Sequence, residues 1–358
     1  MSATVKEQKI DEAKLQAVIG KIVGDFGATM SSALMVLGDK LGLYKSMASS
    51  GPVNSEELAR ATGTTERYVR EWLINQAASG YVEYDPETQR YTLPPEHALA
   101  LAVEDNPYFV VGGFELFVSA LRSEPRIREA FRTGEGMGWG EHDHGLFEGT
   151  ERFFKPGYLG NLVASWIPAL EGVQAKLERG GKVADVGCGY GSSTIIMAKA
   201  FPNSRFWGFD NHAPSIEQAR EAAREAGVSD RVTFQVAGAQ DYPGNGYDFV
   251  AFFDCLHDMG DPEGAIRHTS KALAPDGTAM IVEPMAGDRV EDNFNPVGRI
   301  YSAASVMLCT PNALASGPTQ LGTVATEAAL RGVVQRGGLS RFRRATETPF
   351  NRIFEARI

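Results

Sequence analysis

The stretch Val183-Ala-Asp-Val-Gly-Cys-Gly-Tyr-Gly191 decides how the rest of this 358-residue chain is read. Its first four residues form a buried-strand run, and the glycines that follow let the backbone turn tightly and approach a ligand closely. A helix expected over 192–200 starts directly afterwards, so its unpaired N–H groups face the same spot. The spacing is Gly-x-Gly-x-Gly, with Asp185 two residues before Gly187. A nicotinamide dinucleotide fingerprint has its third glycine one residue later.

Outward from this turn, strand and helix alternate. Strands are expected at 205–209, 231–236, 247–253 and 278–282, with a helix at 215–226, the pattern of a doubly wound, Rossmann-like α/β sheet. A helix at 323–335 precedes Gly337-Gly338, and the runs 341–347 and 351–357, joined through Pro349, form a last strand pair. Trp207-Gly-Phe-Asp210 ends the second strand with an acid 25 residues beyond Asp185, placed to accept hydrogen bonds from both hydroxyls of a ribose.

Together these residues resemble the nucleoside-binding signature of the class I S-adenosylmethionine-dependent methyltransferases, over about residues 181–358. The resemblance implies S-adenosyl-L-methionine as cofactor. The backbone of Gly187, Gly189 and Gly191, behind Asp185, then faces its methionine part, and Asp210 holds its ribose. Family members often have an acid where Gly238 stands, so the adenine border passes to Gln240 and Asp241; Asp254 is counted with the cofactor residues. The closing strand pair resembles the antiparallel pair that ends the methyltransferase sheet.

After the fourth strand comes Phe252-Phe-Asp-Cys-Leu-His257-Asp258-Met-Gly-Asp261, at a strand end of the kind that lines the ligand crevice of open α/β sheets. This resembles the Leu-His-Asp stretch of small-molecule O-methyltransferases with an N-terminal winged helix. By that resemblance His257 is the general base, and Glu283, in Ile281-Val-Glu-Pro284, orients the base or the substrate. Met259 stands where those enzymes usually have tryptophan. A phenol of pKa ~10 keeps its proton at neutral pH, and a histidine near ~6.5 can accept it as charge develops. A structural histidine is the other reading, and nitrogen, sulfur or carbon acceptors, a non-methylating reaction, or a winged-helix transcription regulator sensing S-adenosylmethionine stay open.

Residues 1–105 read as a mainly helical winged-helix domain. Apolar residues from Leu15 to Leu41 recur at three- and four-residue steps. Asn54-Ser-Glu-Glu57 offers a cap for a short helix ending at Gly63, a helix follows at 66–78, and strand-like runs at 81–84 and 90–93 flank a turn. Such a module either contacts DNA or serves packing and dimerisation. Its first 110 residues hold 10 Lys and Arg against 15 Asp and Glu, a poor footprint for a phosphate backbone, so no nucleic-acid partner is expected. The long apolar helix face leads to the expectation of a homodimer.

Residues 106–180 form a helical linker split by Gly134-Glu-Gly-Met-Gly-Trp-Gly140, a loop of the kind that closes over sites. Most aromatics behind it read as core; Trp139, His142, Phe154 and Tyr158 are the candidates for a substrate chamber. His142-x-His144 lacks further placed ligands, and no metal is expected. The whole chain has 43% hydrophobic and 22% charged residues, which excludes disorder, and a net charge of −10. At ~150 residues per domain two domains are expected. Apolar runs stop short of the ~18 residues that span a bilayer. The opening MSATVKEQKIDEAK does not read as a secretion signal, and Cys188, Cys255 and Cys309 form no CxxC pair, so a cytoplasmic protein with a small-molecule substrate is expected.

Overall fold

A computed structural model describes residues 10–358; residues 1–9 of the opening stretch read above lie outside the described residues. Two compact units emerge, one up to Glu104 together with Phe109–Phe114, the other made of Asp105–Tyr108 and Glu115–Ile358.

The first unit opens with a 29-residue helix, Glu12–Lys40, whose N-terminus is capped by the Asp11 carboxylate on the Lys14 N–H. Gly38 lets this helix lie against the aromatic core: a Cβ there would come within 2.5 Å of the Trp72 ring. The Trp72 indole N–H donates to the Leu34 carbonyl at 2.9 Å, fixing the same crossing. Asn54 and Glu57 form a reciprocal capping box ahead of the helix Ser55–Thr62, and the helix Glu66–Ala78 follows with the bounds expected of it. Strands β1 (Glu83–Asp85) and β2 (Arg90–Thr92) pair antiparallel as a short wing. β1 starts two residues later than the sequence suggests and runs one further, to Asp85, whose carboxylate accepts from the Glu87 N–H and the Thr88 hydroxyl in the turn; β2 stops one residue short, at Thr92.

The second unit is built on seven strands: β3 (Lys182–Val186), β4 (Arg205–Asp210), β5 (Val232–Val236), β6 (Tyr247–Phe253), β7 (Leu273–Pro284), β8 (Arg341–Glu347) and β9 (Asn351–Arg357), in the order β5-β4-β3-β6-β7-β9-β8. The first five run parallel, and β9 is antiparallel to both neighbours. Alternate residues face opposite layers, as the pleat requires. Val183, Phe249 and Met280 pack in one core with Trp166 and Leu177, while Val186, Val250 and Ile281 pack in the other with Ile266 and Leu330.

Two expected bounds differ. Strand β7 begins at Leu273 rather than 278, with a register shift opposite Tyr247 and Phe249. The helix expected at 323–335 runs Glu327–Arg336, since the Thr326 hydroxyl accepts from the Ala329 N–H and sets its start. Between them, residues 285–326 hold the helices Pro296–Ala304 and Thr310–Ser316, joined by a π-helical turn at Ser305–Cys309. No strand–helix alternation announces this segment, yet it forms one wall of the site.

Candidate active site

Strand β3 lies between β4 and β6, whose connections leave in opposite directions, so a crevice opens beyond its carboxyl end. A cavity of about 630 Å³ fills that crevice within the second unit. Gly187 and Gly189 line it, and Gly191 stands behind. Gly191 has φ +84°, and a Cβ there would meet the Phe234 ring at 2.5 Å, so this turn requires glycine for both space and conformation.

Asp210, at the end of β4, is held on both oxygens: Oδ2 accepts from the Gly189 N–H at 3.0 Å and Oδ1 from the His212 N–H at 2.8 Å. Burial raises its pKa against those two bonds, and it faces the cavity. A carboxylate so fixed keeps lone pairs free for a vicinal diol. Asp185 differs. Its Oδ2 takes the hydroxyls of Ser193 and Thr194, both at 2.6 Å, and it is fully buried away from the cavity, tying β3 to the helix Ser192–Ala200. Gln240 lines the cavity, whereas Asp241 turns back to accept from the Gly238 N–H.

The deep end gathers acids. Asp254 and Asp258 line the cavity, and Asp254 holds φ +51°, a left-handed conformation rare outside glycine. One Asp254 oxygen accepts from Asn351 at 2.8 Å; the other is buried without a partner among the described residues. Burial and the Glu283 charge push the Asp254 pKa well up, and burial pushes Asp258 to about 6. Trp139 Nε1–H donates to Asp258 Oδ2 at 2.7 Å, so an indole from the glycine-rich loop meets the Leu-His-Asp stretch where Met259 replaces the usual tryptophan.

That loop is pinned, not free-standing. The Met137 N–H donates to the Pro311 carbonyl, the Trp139 N–H to Asn312 Oδ1, and a Cβ on Gly136 would fall 2.1 Å from the Ala315 nitrogen. Phe147, Glu151, Phe154 and Tyr158 line the adjoining wall from one face of the helix Gly145–Asn161. His142 is not on the cavity wall. It is buried with Nδ1 on the Ser123 hydroxyl, which removes it from the substrate chamber proposed from sequence.

His257 and Glu283 are brought together but lie behind the wall rather than on it. His257 Nδ1 is 2.9 Å from Glu283 Oε2, and Cys309 lies beside the ring. Burial pulls the His257 pKa down, but the Glu283 carboxylate and Cys309 outweigh it and hold the pKa well above 6.5. Sequence reasoning passed over Glu151, His212, Asn312 and Cys309. Glu151 left one signal, an acid in an otherwise aromatic helix face. Among the described residues no group of three or more His, Cys, Asp or Glu side chains is placed to hold a metal ion.

A fold with this strand order, a glycine turn at the switch point and a diol-competent acid after the second parallel strand is that of the methyltransferases. Residues 29–103 match the Rv2258c-like winged HTH domain family and residues 177–328 the methyltransferase domain family, so the chain carries both domains in that order. It is 31% identical over 141 residues to 27-O-demethylrifamycin SV methyltransferase of Amycolatopsis mediterranei, covering 39% of this chain and 46% of that one. It is 30% identical over 168 residues to sterol 24-C-methyltransferase of Saccharomyces cerevisiae, covering 45% and 41%. The chain thus spans less than half the length of these relatives. Human N-acetylserotonin methyltransferase, solved in complex with SAM, superposes with a TM-score of 0.72 over 99% of both chains at 15% identity, a likeness of fold.

Proposed function

We propose that this chain is an S-adenosylmethionine-dependent methyltransferase acting on a small molecule, with a hydroxyl oxygen as acceptor. The observation that carries the reading is the charge of the cavity. Glu151, Asp210, Asp254 and Asp258 line it, and among the described residues no lysine or arginine does. Buried carboxyls without a counter-ion are costly, and a cationic ligand relieves that cost. The orphaned Asp254 oxygen and the doubly held Asp210 fit such a cofactor. When bound, S-adenosylmethionine supplies a methyl group on a sulfonium sulfur that leaves as a neutral thioether.

Asp210 then holds the ribose diol, and the glycine turn admits the amino-acid tail. Trp139, Phe147, Phe154 and Tyr158 exclude water from the reacting centre and favour a flat, apolar acceptor. The acceptor proton passes to His257, whose ring is oriented by Glu283. The demethylrifamycin relative's name supports oxygen, and the sterol relative's name keeps carbon as the second reading. Incubation with methyl-labelled cofactor and a metabolite panel, read by mass spectrometry, tests the assignment: label is expected on a hydroxyl-bearing aromatic, and label on carbon or nitrogen only would move the acceptor.

Two further points belong to this reading. Arg67 and Arg70, on the exposed face of the helix Glu66–Ala78, are already paired with Glu71 and Glu66, which speaks against DNA as the partner. The helix Glu12–Lys40 buries only Ser31, Met35 and Gly38, while Val18, Ile19, Ile22, Val23, Phe26 and Met30 stand 42–74% exposed. A second copy of the chain covers that stripe in our proposal, and the setting is cytoplasmic, in keeping with three free cysteines. No helix of the described residues is long and apolar enough to cross a membrane.

A further inference from the structure

Four acids line the cavity. Asp210 serves the diol, Asp258 is engaged by Trp139, and Asp254 is tied to Asn351 with its orphaned oxygen at the deep end. Glu151 alone comes from the aromatic helix Gly145–Asn161, and it reaches across to the hydroxyl of Ser192, the first residue after the glycine turn. Two acids therefore bracket that turn: Asp210 through the Gly189 N–H on one side and Glu151 through Ser192 on the other. Ser192 supplies a neutral hydroxyl, and the nearest ammonium on the same helix, Lys155, is paired with Asp105 at 2.7 Å. Burial raises the Glu151 pKa in this setting, as expected of a carboxyl with no full counter-charge.

A nucleoside with an amino-acid tail offers two strong donor groups, a diol at one end and an ammonium at the other. We propose that Glu151 holds the ammonium group of the cofactor's tail, with Ser192 fixing the carboxylate's direction. This rests on the methyltransferase reading and adds to it a polar anchor at the far end from Asp210. The rival role is structural, in which Glu151 merely ties its helix to the start of Ser192–Ala200.

Calorimetry on the full-length protein separates these possibilities without any acceptor, using S-adenosylhomocysteine, which carries the tail, and 5′-methylthioadenosine, which lacks it. The substitution Glu151→Gln keeps an acceptor for Ser192 but removes the charge. S-adenosylhomocysteine affinity is expected to fall roughly 10- to 100-fold, the range of a hydrogen bond to a charged group, with methylthioadenosine affinity unchanged. Equal affinity of S-adenosylhomocysteine for both proteins, or an equal loss for both ligands, overturns the anchor. If the native chain binds neither ligand, the cofactor reading itself fails, a distinct result. Retained methylthioadenosine binding shows that Glu151→Gln is folded, and Glu151→Asp, which restores charge on a shorter arm, is expected to recover part of the loss.

Discussion

Glu283 Oε2 sits 2.9 Å from Nδ1 of His257, at the ends of two adjacent parallel strands, with both side chains almost wholly out of solvent. This pairing has a consequence for pH. A base must be unprotonated to act, and Glu283 with Cys309 holds the imidazole protonated to higher pH than an ordinary histidine. Methyl transfer to a weakly acidic hydroxyl is therefore expected to rise with pH through a midpoint above 6.5. Glu283→Gln moves that midpoint down, and His257→Gln lowers kcat by ~10²–10⁴ at unchanged cofactor affinity. Full turnover in His257→Gln would remove the base role.

Asp185 and Asp258 both have their pKa raised to about 6 by burial. The unfolded chain loses these protons near ~3.9, so between about pH 4 and pH 6 the folded state binds more protons than the unfolded one. The sign follows: their contribution to stability is full below about pH 4 and falls as pH rises to about 6. A cation in the cavity favours the ionised acids, so the Tm gain from S-adenosylmethionine is expected to grow across the same interval. Thermal melts from pH 4 to 8, with and without cofactor, check this; a cofactor gain that shrinks with pH contradicts it.

The apolar stripe on Glu12–Lys40 gives a test of assembly. Replacing Ile19, Ile22 and Phe26 together by Gln is expected to convert a dimer into a soluble monomer with the same helix content, because these residues are 42–66% exposed within the chain. Light scattering on both proteins decides: a native monomer, or a triple variant that stays dimeric, rules out this face.

Much of the architecture was legible because it is written in local pattern. The helix Glu66–Ala78, the helix Ser192–Ala200 and strands β6, β8 and β9 carry clean periodicity and glycine or cap punctuation, and their bounds matched. The segment 285–326 was missed since a π-helical turn interrupts its periods, and with it went Asn312, which joins Trp139 to the Asp258 backbone, and Cys309. Site residues followed the same rule. Asp210 and the glycines announce themselves by spacing. That His142 bonds Ser123, and that His257 lies behind the wall, depend on side-chain direction in the folded packing, which residue spacing does not encode.

In our proposal the cavity beyond β3 binds S-adenosylmethionine with Asp210 on the ribose. Calorimetric titration of S-adenosylhomocysteine into the native chain and into Asp210→Ala tests it most directly. One site per chain is expected in the native protein, weakened roughly 10- to 100-fold in the variant by loss of a charged acceptor from the diol. No binding to the native chain, or the same affinity in both proteins, contradicts the account.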